Sequence, residues 1–310
     1  RTAFESNAYS KSGAWRAVAA RAATRSEYFM QRRSFFVDVD ERVRRAAFEA
    51  ALEAPSEADL DALLESARLD PDALGRSLAA RAVGASGGER AVLSLLDAWD
   101  RADEETKLSI VEAWSTPPAW SSGGERELLK VAESGTGLPA LAAAAAVLRN
   151  GGTHAGAATT LLVRAIAQGA SDERRAGITL APISDAEVLR VIKEAAKDPD
   201  LDVRVMALAR LLDLPEQRAS AQKELKKLAQ TSGNIAEQAR AALAALGDES
   251  VRPALLAALR EKKPGDRQVA ALGLVRLGDY SSAASVLGDD DATTRATLAC
   301  TILAREEHSH

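Results

Sequence analysis

The chain has 310 residues, of which 46% are hydrophobic and 4% aromatic, and its 40 basic and 45 acidic side chains give a formal net charge of −5. This negative balance excludes a general electrostatic attraction to phosphate backbones or anionic lipids, and therefore argues against nucleic acid as a partner. One cysteine excludes an internal disulfide or a site with several cysteine ligands, and the lack of a long apolar run excludes a predicted transmembrane helix.

Residues 1–36 differ from the rest of the chain because they hold most of its aromatic side chains. Helices are predicted over 14–25 and 27–33. The first repeat of an array needs an atypical cap, and aromatic side chains that seal this end fit that need. The alternative is an exposed aromatic and basic patch that docks a partner, with the basic residues Arg16, Arg21, Arg25, Arg32 and Arg33.

A repeated pattern runs through the chain after these residues. Its anchor positions lie 28 to 34 residues apart, at Val43, Gly75, Thr106, Ala140, Asp172, Val203, Ile235, Asp266 and Thr294. Every residue four or eight positions after an anchor is apolar. These spacings fall on one stripe of an α-helix, so each anchor marks an amphipathic helix. A period of this size predicts stacked helix pairs.

Polar residues accompany the anchors at fixed positions. Three residues before most anchors stands a residue that can cap a helix N-terminus. Examples are Asp40, Asp72, Asp103, Asp200 and Asp291. A basic residue directly follows six anchors, at Arg44, Arg76, Lys107, Arg204, Arg267 and Arg295. We expect this side chain to bind the cap aspartate or a carbonyl of the adjoining repeat, and not a ligand.

Segment 200–212, with its aspartate, valine-arginine pair, alanine and leucine, resembles the HEAT repeat, as do the Leu-Gly-Asp helix ends at 246–248 and 277–279. More narrowly, it is similar to the short bacterial HEAT repeats also found in phycobilin lyases. The resemblance covers roughly residues 38–305. Repeats four, five and seven depart from it, because the arginine position holds Leu141, Glu173 and Ala236. The resemblance implies an all-α fold, a right-handed α–α superhelix of about nine helix pairs, and says little about activity.

Intervening helices are predicted near 57–68, 89–100, 125–133, 156–168, 185–197, 216–230 and 251–261, with a short one at 282–287. Segment 115–124 is the longest departure from the pattern, and its two prolines predict a loop. The predicted domains are an N-terminal cap at 1–36, a repeat array at 37–305 and a disordered tail at 306–310.

The sequence contains no recognisable catalytic or metal-binding motif. His154 lies in a glycine-rich turn and is interpreted as solvated, and the other two histidines, His308 and His310, lie in the predicted tail. No P-loop, dinucleotide fingerprint, H-E-x-x-H or Cys-x-x-Cys motif occurs. We therefore predict no enzyme activity, no cofactor and no metal, and interpret Cys300 as a small apolar residue of the last helix.

If the helix pairs curve, the anchored helices line the concave side. Residues there that point away from the buried stripe are candidates for binding: Arg45, Glu49, Arg81, Glu112, Arg174, Arg175, Met206, Gln238, Gln268 and Arg276. Trp120 is a further candidate, which either folds over a helix junction or stands exposed as an anchor for a ligand. Mixed charge and few aromatics suit a protein or peptide better than a buried small molecule.

Two functions remain open. The first is a non-catalytic scaffold that binds another protein or peptide through the concave face or the aromatic N-terminal end. The second is an enzyme on the same scaffold, similar to bilin lyases or to DNA glycosylases. A glycosylase would need a basic groove with an exposed tryptophan, and the net charge argues against it. The sequence begins with Arg1, so a removed signal peptide stays possible, and either a bacterial cytoplasm or a cell envelope fits the composition.

Overall fold

The computed structural model describes residues 3–261 and 263–307, and the prediction of an all-α fold is confirmed, since no strand occurs in that part of the chain. The chain divides into two compact units. Unit 1 comprises Arg1–Ala165 and Leu180–Val188, and unit 2 comprises Ile166–Thr179 and Leu189–His310. None of the helices in the described ranges combines the length and hydrophobicity that a bilayer crossing requires.

The helices up to residue 168 are α1 (Ala3–Ala8), α2 (Gly13–Arg21), α3 (Phe29–Phe35), α4 (Glu41–Glu53), α5 (Leu60–Leu69), α6 (Ala73–Ser86), α7 (Gly88–Trp99), α8 (Glu104–Trp114), α9 (Pro117–Ala119), α10 (Glu125–Ser134), α11 (Gly137–Arg149) and α12 (Ala155–Gln168). Those that follow are α13 (Ser171–Leu180), α14 (Ala186–Ala195), α15 (Leu201–Leu211), α16 (Pro215–Leu228), α17 (Asn234–Ala245), α18 (Arg252–Ala258), α19 (Pro264–Arg276), α20 (Tyr280–Ala283) and α21 (Ala292–Glu307).

Each predicted anchor position lies in a helix of its own, and we call α4, α6, α8, α11, α13, α15, α17, α19 and α21 the anchored helices. Within unit 1, α2, α4, α6, α8 and α11 pack in succession, and within unit 2 the series is α15, α17, α19 and α21. Intervening helices pack beside them, as α5 does on α6 and α16 does on α15 and α17. The sequence period therefore predicted the order of helices correctly.

Small apolar side chains form the contact between successive anchored helices. Ala47, Ala79, Ala207 and Leu243 are wholly inaccessible, as the stripe predicts. Of the eighteen predicted stripe positions, the four that are only half-buried are Leu148, Ala176, Leu180 and Ile302. An alanine at this position lets the neighbouring helix come close, because its side chain ends at Cβ.

The predicted register of α13 is wrong by one residue. Its buried residues are Gly177 and Ile178, followed by Ala181, and not the predicted Ala176 and Leu180. The anchor is therefore Glu173, and Arg174 takes the arginine position. The sequence around it lacks the aspartate and valine that fix the register in other repeats, so a shift by one residue kept an apolar pattern.

The prediction of a loop at 115–124 is also wrong. Helix α9 begins with Pro117, and a π-helical turn, Trp120–Gly124, leads into α10. A proline is tolerated in the first turn of a helix because its missing N–H has no partner there. The chain kinks within this turn at Gly123, whose φ of 114° lies outside the helical range and favours glycine.

The N-terminal segment combines a sealed interior with an exposed exterior. Phe36 and Phe48 are buried and stacked with their ring centroids 5.4 Å apart. Arg32 is inaccessible, donates from Nε to Asp59 at 2.9 Å and binds the carbonyls of Ala23, Ala50 and Ala54. Arg32 therefore cannot belong to the exposed basic patch that was the alternative prediction.

Two predictions near the C-terminus have different outcomes. Cys300 was interpreted as a plain small apolar residue rather than an exposed thiol, and this is wrong because Cys300 is exposed. Of the predicted tail, Glu306 and Glu307 belong to α21, while residues 308–310, with His308 and His310, lie outside the described residues.

We expect Gly84→Ala to destabilise unit 1, because the added Cβ would lie 2.6 Å from the Cα of Ala113 in α8. Overpacking of this kind costs about 1–3 kcal/mol, which a urea unfolding curve resolves. The control is Gly156→Ala in α12, whose Cβ would meet nothing within 4 Å. Equal unfolding midpoints for the two variants would contradict this account of the contact between α6 and α8.

Candidate binding surfaces

An arginine at the start of several anchored helices joins its own helix to the next repeat. In α4, Arg44 donates from Nη1 to the carbonyl of Asp38 at 2.9 Å. Its Nε and Nη2 bind the two carboxylate oxygens of Asp70 at 2.8 and 3.0 Å. The carbonyl of Asp70 in turn accepts from Nη1 of Arg76 at 2.9 Å. One aspartate therefore links two successive arginines.

We call this series of contacts the arginine ladder, and it recurs along the chain. Arg16 binds the carboxylate of Asp38 at 2.7 and 2.8 Å. In unit 2, Arg267 binds that of Asp289 at 2.5 and 2.8 Å, and the carbonyl of Asp289 accepts from Arg295. Arg174 also pairs with Asp198, but through one hydrogen bond, from Nη2 to Oδ1 at 3.3 Å.

The expected partner of the arginine was the cap aspartate or a carbonyl of the adjoining repeat. Arg76 binds the cap aspartate Asp103, and Arg174 lies 3.7 Å from the cap aspartate Asp200. Arg16, Arg44 and Arg267 bind a different carboxylate. Their partner is the aspartate two residues earlier, which also accepts from the backbone N–H of the cap residue, as Asp70 does from Asp72. The signal in the sequence is an Asp-x-Asp pair before the helix, at 38–40, 70–72, 198–200 and 289–291. In each pair, the first aspartate binds the arginine and the second caps the helix.

Arg204 in α15 lacks the carboxylate partner that Arg44, Arg76 and Arg267 have. Its Nε donates to the carbonyl of Asp198 at 2.8 Å, whereas Arg44 and Arg76 bind the equivalent carbonyl through Nη1. The position that corresponds to Asp70 is Gln230, five residues before the anchor Ile235. Within the described ranges no carboxylate lies within salt-bridge distance of Arg204, which instead lines a cavity of about 590 Å³ in unit 2.

This cavity combines basic and apolar side chains. Lys193 in the last turn of α14 and Lys197, two residues after its end, line the cavity and are exposed, whereas Leu208, Leu211 and Ala221 form its buried floor. Its single acidic residue, Glu224, accepts from Lys227 at 2.7 Å. This hydrogen bond is the main cause that lowers the pKa of Glu224, with smaller contributions from the charges of Lys227, Lys223 and Arg204.

Most candidate residues of the predicted concave face bind a neighbouring anchored helix. In unit 1, Arg45 binds Asp72 at 2.6 and 2.7 Å, Arg81 binds Glu112 at 3.1 Å, and Glu49 accepts from Arg21 at 2.5 Å. These ion pairs connect α2, α4, α6 and α8 in succession. The structure thus places these candidates on one surface of unit 1, but as mutual partners.

In unit 2, candidate residues of the predicted concave face also bind neighbouring anchored helices, although through hydrogen bonds and not ion pairs. Thr179 donates to Sδ of Met206 at 3.0 Å, Gln238 donates to Asp202 at 3.0 Å, and Arg276 lies 3.4 Å from the carbonyl of Ala241. The remaining candidates are divided: Arg174 belongs to the ladder, Arg175 binds Asp172 in its own helix, and Gln268 is half-buried.

Three of the four tryptophans, Trp99, Trp114 and Trp120, are engaged in packing. Trp114 is inaccessible, and Trp99 stacks on it with ring centroids 5.4 Å apart, while Lys107 lies 5.5 Å above the Trp99 ring. Trp120 is half-buried in the π-helical turn, which packs against α7, α8 and α10. His154 is exposed, and no group of three or more metal-binding side chains occurs in the described part of the chain.

Four of the five most exposed large apolar side chains in the described residues lie near the N-terminus. Val39, Val37, Tyr9 and Met30 are between 93% and 70% exposed, Leu69 in α5 is also 70% exposed, and Trp15 is 56% exposed. Only Tyr9 and Trp15 belong to the aromatic signal that the sequence gives for this region. The two valines lie within the short connection between α3 and α4, where no helical or strand periodicity predicts which side chains are exposed.

Comparisons with known proteins assign no family to this chain. No family model matches it, and no curated protein matches it significantly.

Arg44→Gln should lower the free energy of unfolding by about 3–5 kcal/mol, because it leaves the buried carboxylate of Asp70, 2% exposed, without its charged partner. Arg204→Gln is the matched control, and it should cost about 1 kcal/mol because it removes one hydrogen bond to a carbonyl. Urea unfolding followed by circular dichroism measures both. Similar losses in the two variants would show that the carboxylate contact is not what the ladder provides.

The ladder also predicts a pH dependence. The hydrogen bond from Arg267 is the main cause that lowers the pKa of Asp289 from 3.8 to about 2. The folded chain therefore binds fewer protons than the unfolded chain between these values, so this stabilisation is complete above about pH 4 and is lost as the pH falls toward 2. Asp289→Asn should reduce the slope of the unfolding midpoint against pH in that range. An unchanged slope would contradict the assignment.

Proposed function

We propose that this chain is a non-catalytic scaffold of HEAT-like repeats, arranged as a right-handed superhelix, and that it binds another protein through its N-terminal segment. The observation that carries the proposal is where the apolar surface lies. Of the thirteen large apolar or aromatic side chains that are exposed in the described residues, six fall within residues 9–39: Tyr9, Trp15, Val18, Met30, Val37 and Val39.

Helix α2 has two apolar faces, and one of them is covered. Ala19 and Ala20 are buried, and α2 packs on α4 in the manner of an anchored helix. Trp15 and Val18, one turn apart, lie on another face and are 56% and 53% exposed. A helix at the end of a repeat array that keeps an apolar face in water is typical of a surface that a further protein covers.

The surface of the anchored helices is a weaker candidate. Its charged residues in unit 1 neutralise one another in pairs, such as Arg81 with Glu112, so a partner would have to break these contacts in order to bind them. The N-terminal segment offers apolar area directly, and exposed charged residues lie beside it, among them the ion pair of Arg21 with Glu49. An apolar centre with a polar rim is the usual composition of a protein–protein interface.

A photocrosslinking residue at Val18 should capture a specific protein in the native cell. The same residue at Leu93 in α7, an exposed leucine outside the N-terminal segment, should not. Trp15→Ser should weaken the affinity for the captured protein about 30-fold, since the loss of an interfacial tryptophan costs about 2 kcal/mol.

Trp15→Ser removes a side chain that is half in solvent, so the folded state should keep its circular dichroism spectrum. Capture of the same proteins at Val18 and Leu93 would contradict the proposal. So would an unchanged dissociation constant for a folded Trp15→Ser variant.

A further inference from the structure

The gap in the arginine ladder at Arg204 leaves its guanidinium without the carboxylate that Arg44, Arg76 and Arg267 bind. Arg44, Arg267 and Arg16 each bind the next aspartate through two nitrogens. Arg204 donates from Nε to the carbonyl of Asp198, and it is one of the residues that line the cavity between α14, α15 and α16. This hydrogen bond restrains its side chain, and among the described residues no carboxylate lies within salt-bridge distance of its guanidinium.

Two further cations share this cavity. Lys193 and Lys197 are exposed, and no carboxylate of the described residues lies within salt-bridge distance of either. Glu224 is the acidic residue of the lining, and it is bound by Lys227. Three cations against one carboxylate that is already paired make this a positive site, although the whole chain carries a net charge of −5. Such a site attracts a negatively charged group.

The floor of the cavity is apolar. Leu208, Leu211 and Ala221 lie there, each less than 5% exposed. A volume of about 590 Å³ is that of a site for several side chains, and a single inorganic anion would leave most of it to water. An occupant that contacts both the cationic side chains and the apolar floor needs an apolar group between negatively charged groups.

We propose that this cavity binds an acidic peptide segment of a partner protein, with an apolar side chain on the leucine floor and carboxylates on Arg204, Lys193 and Lys197. The terminal nitrogens of Arg204 provide the bidentate geometry that a carboxylate accepts. The site lies in unit 2 and shares no residue with the N-terminal segment. It rests on the proposed function only in that the chain binds polypeptides.

Unit 1 contains a matched control. A cavity of about 470 Å³ there is lined by Arg76, Arg68 and Arg101, but Arg76 is bound by the carboxylate of Asp103, which lines the same cavity. In this cavity the chain supplies the anion itself. The arginine at this position therefore binds a carboxylate of the chain in unit 1, at Arg76, and none of the described carboxylates in unit 2, at Arg204.

The test uses the full chain and a fluorescent peptide with a central leucine flanked by glutamates, titrated at low salt by fluorescence anisotropy. Binding should weaken as salt is added, and a peptide with lysines in place of the glutamates should not bind. Arg204→Gln should lower the affinity at least tenfold, whereas Arg76→Gln should leave it unchanged. Gln230→Asp, which restores the missing ladder carboxylate, should also lower it while the unfolding midpoint is kept or raised.

Several results would overturn the inference. Equal effects of Arg204→Gln and Arg76→Gln, or none from Arg204→Gln and Gln230→Asp, would place the peptide elsewhere. Full displacement by inorganic phosphate, together with equal affinity for a peptide whose leucine is replaced by glycine, would make this a plain anion site. No peptide binding while Val18 still captures its partner would reject this site and leave the proposed function standing. Peptide binding that Arg204→Gln weakens, without capture at Val18, would support this site and reject the proposed function of the N-terminal segment.

Discussion

The distance between successive anchored helices is set by how closely their small-residue faces can meet. Ala47, Ala79 and Ala207 place only a methyl group at the contact, and at Gly84 even that group would meet the backbone of Ala113. Close packing of this kind is apolar and not directional, so it does not by itself fix how far one helix slides along the next. The arginine ladder supplies the direction, because a guanidinium with two partners fits only one relative position of two repeats.

The ladder also decides which charged residues are available for binding. An arginine that binds an aspartate of the next repeat stabilises the fold and is not available to a ligand, whatever its position in the sequence pattern. The candidates on the anchored helices of unit 1 are in the same situation, since Arg45 and Arg81 bind neighbours that belong to the fold. A binding residue in such an array is therefore one whose expected partner is missing, and Arg204 is the clearest case in the described residues.

The order of the helices could be predicted from the sequence because an apolar residue at every fourth and eighth position is a local property of one helix. The partners of Arg44 and Arg204 could not, because they depend on which residue the next repeat brings opposite them, about 26 residues later. The shift in α13 has the same origin: two apolar registers were equally consistent, and the contact of Arg174 with Asp198 distinguishes them. Exposure of Val37 and Val39 had no signal, since burial in a connection follows from tertiary contacts alone.

The N-terminal segment shows how an exposed apolar surface can be kept in one conformation. Arg32 and Asp59 are both inaccessible, and Arg32 reaches three carbonyls as well as the carboxylate, so α3 is tied to the end of α4 and to the start of α5. A buried ion pair contributes little net stability, because desolvation of both charges offsets their attraction, but it penalises every arrangement that separates them. The valines beside α3 are therefore held in place in the free protein. Apolar residues that are already ordered lose less entropy on association, which is why a rigid exposed surface binds more tightly than a flexible one of equal area.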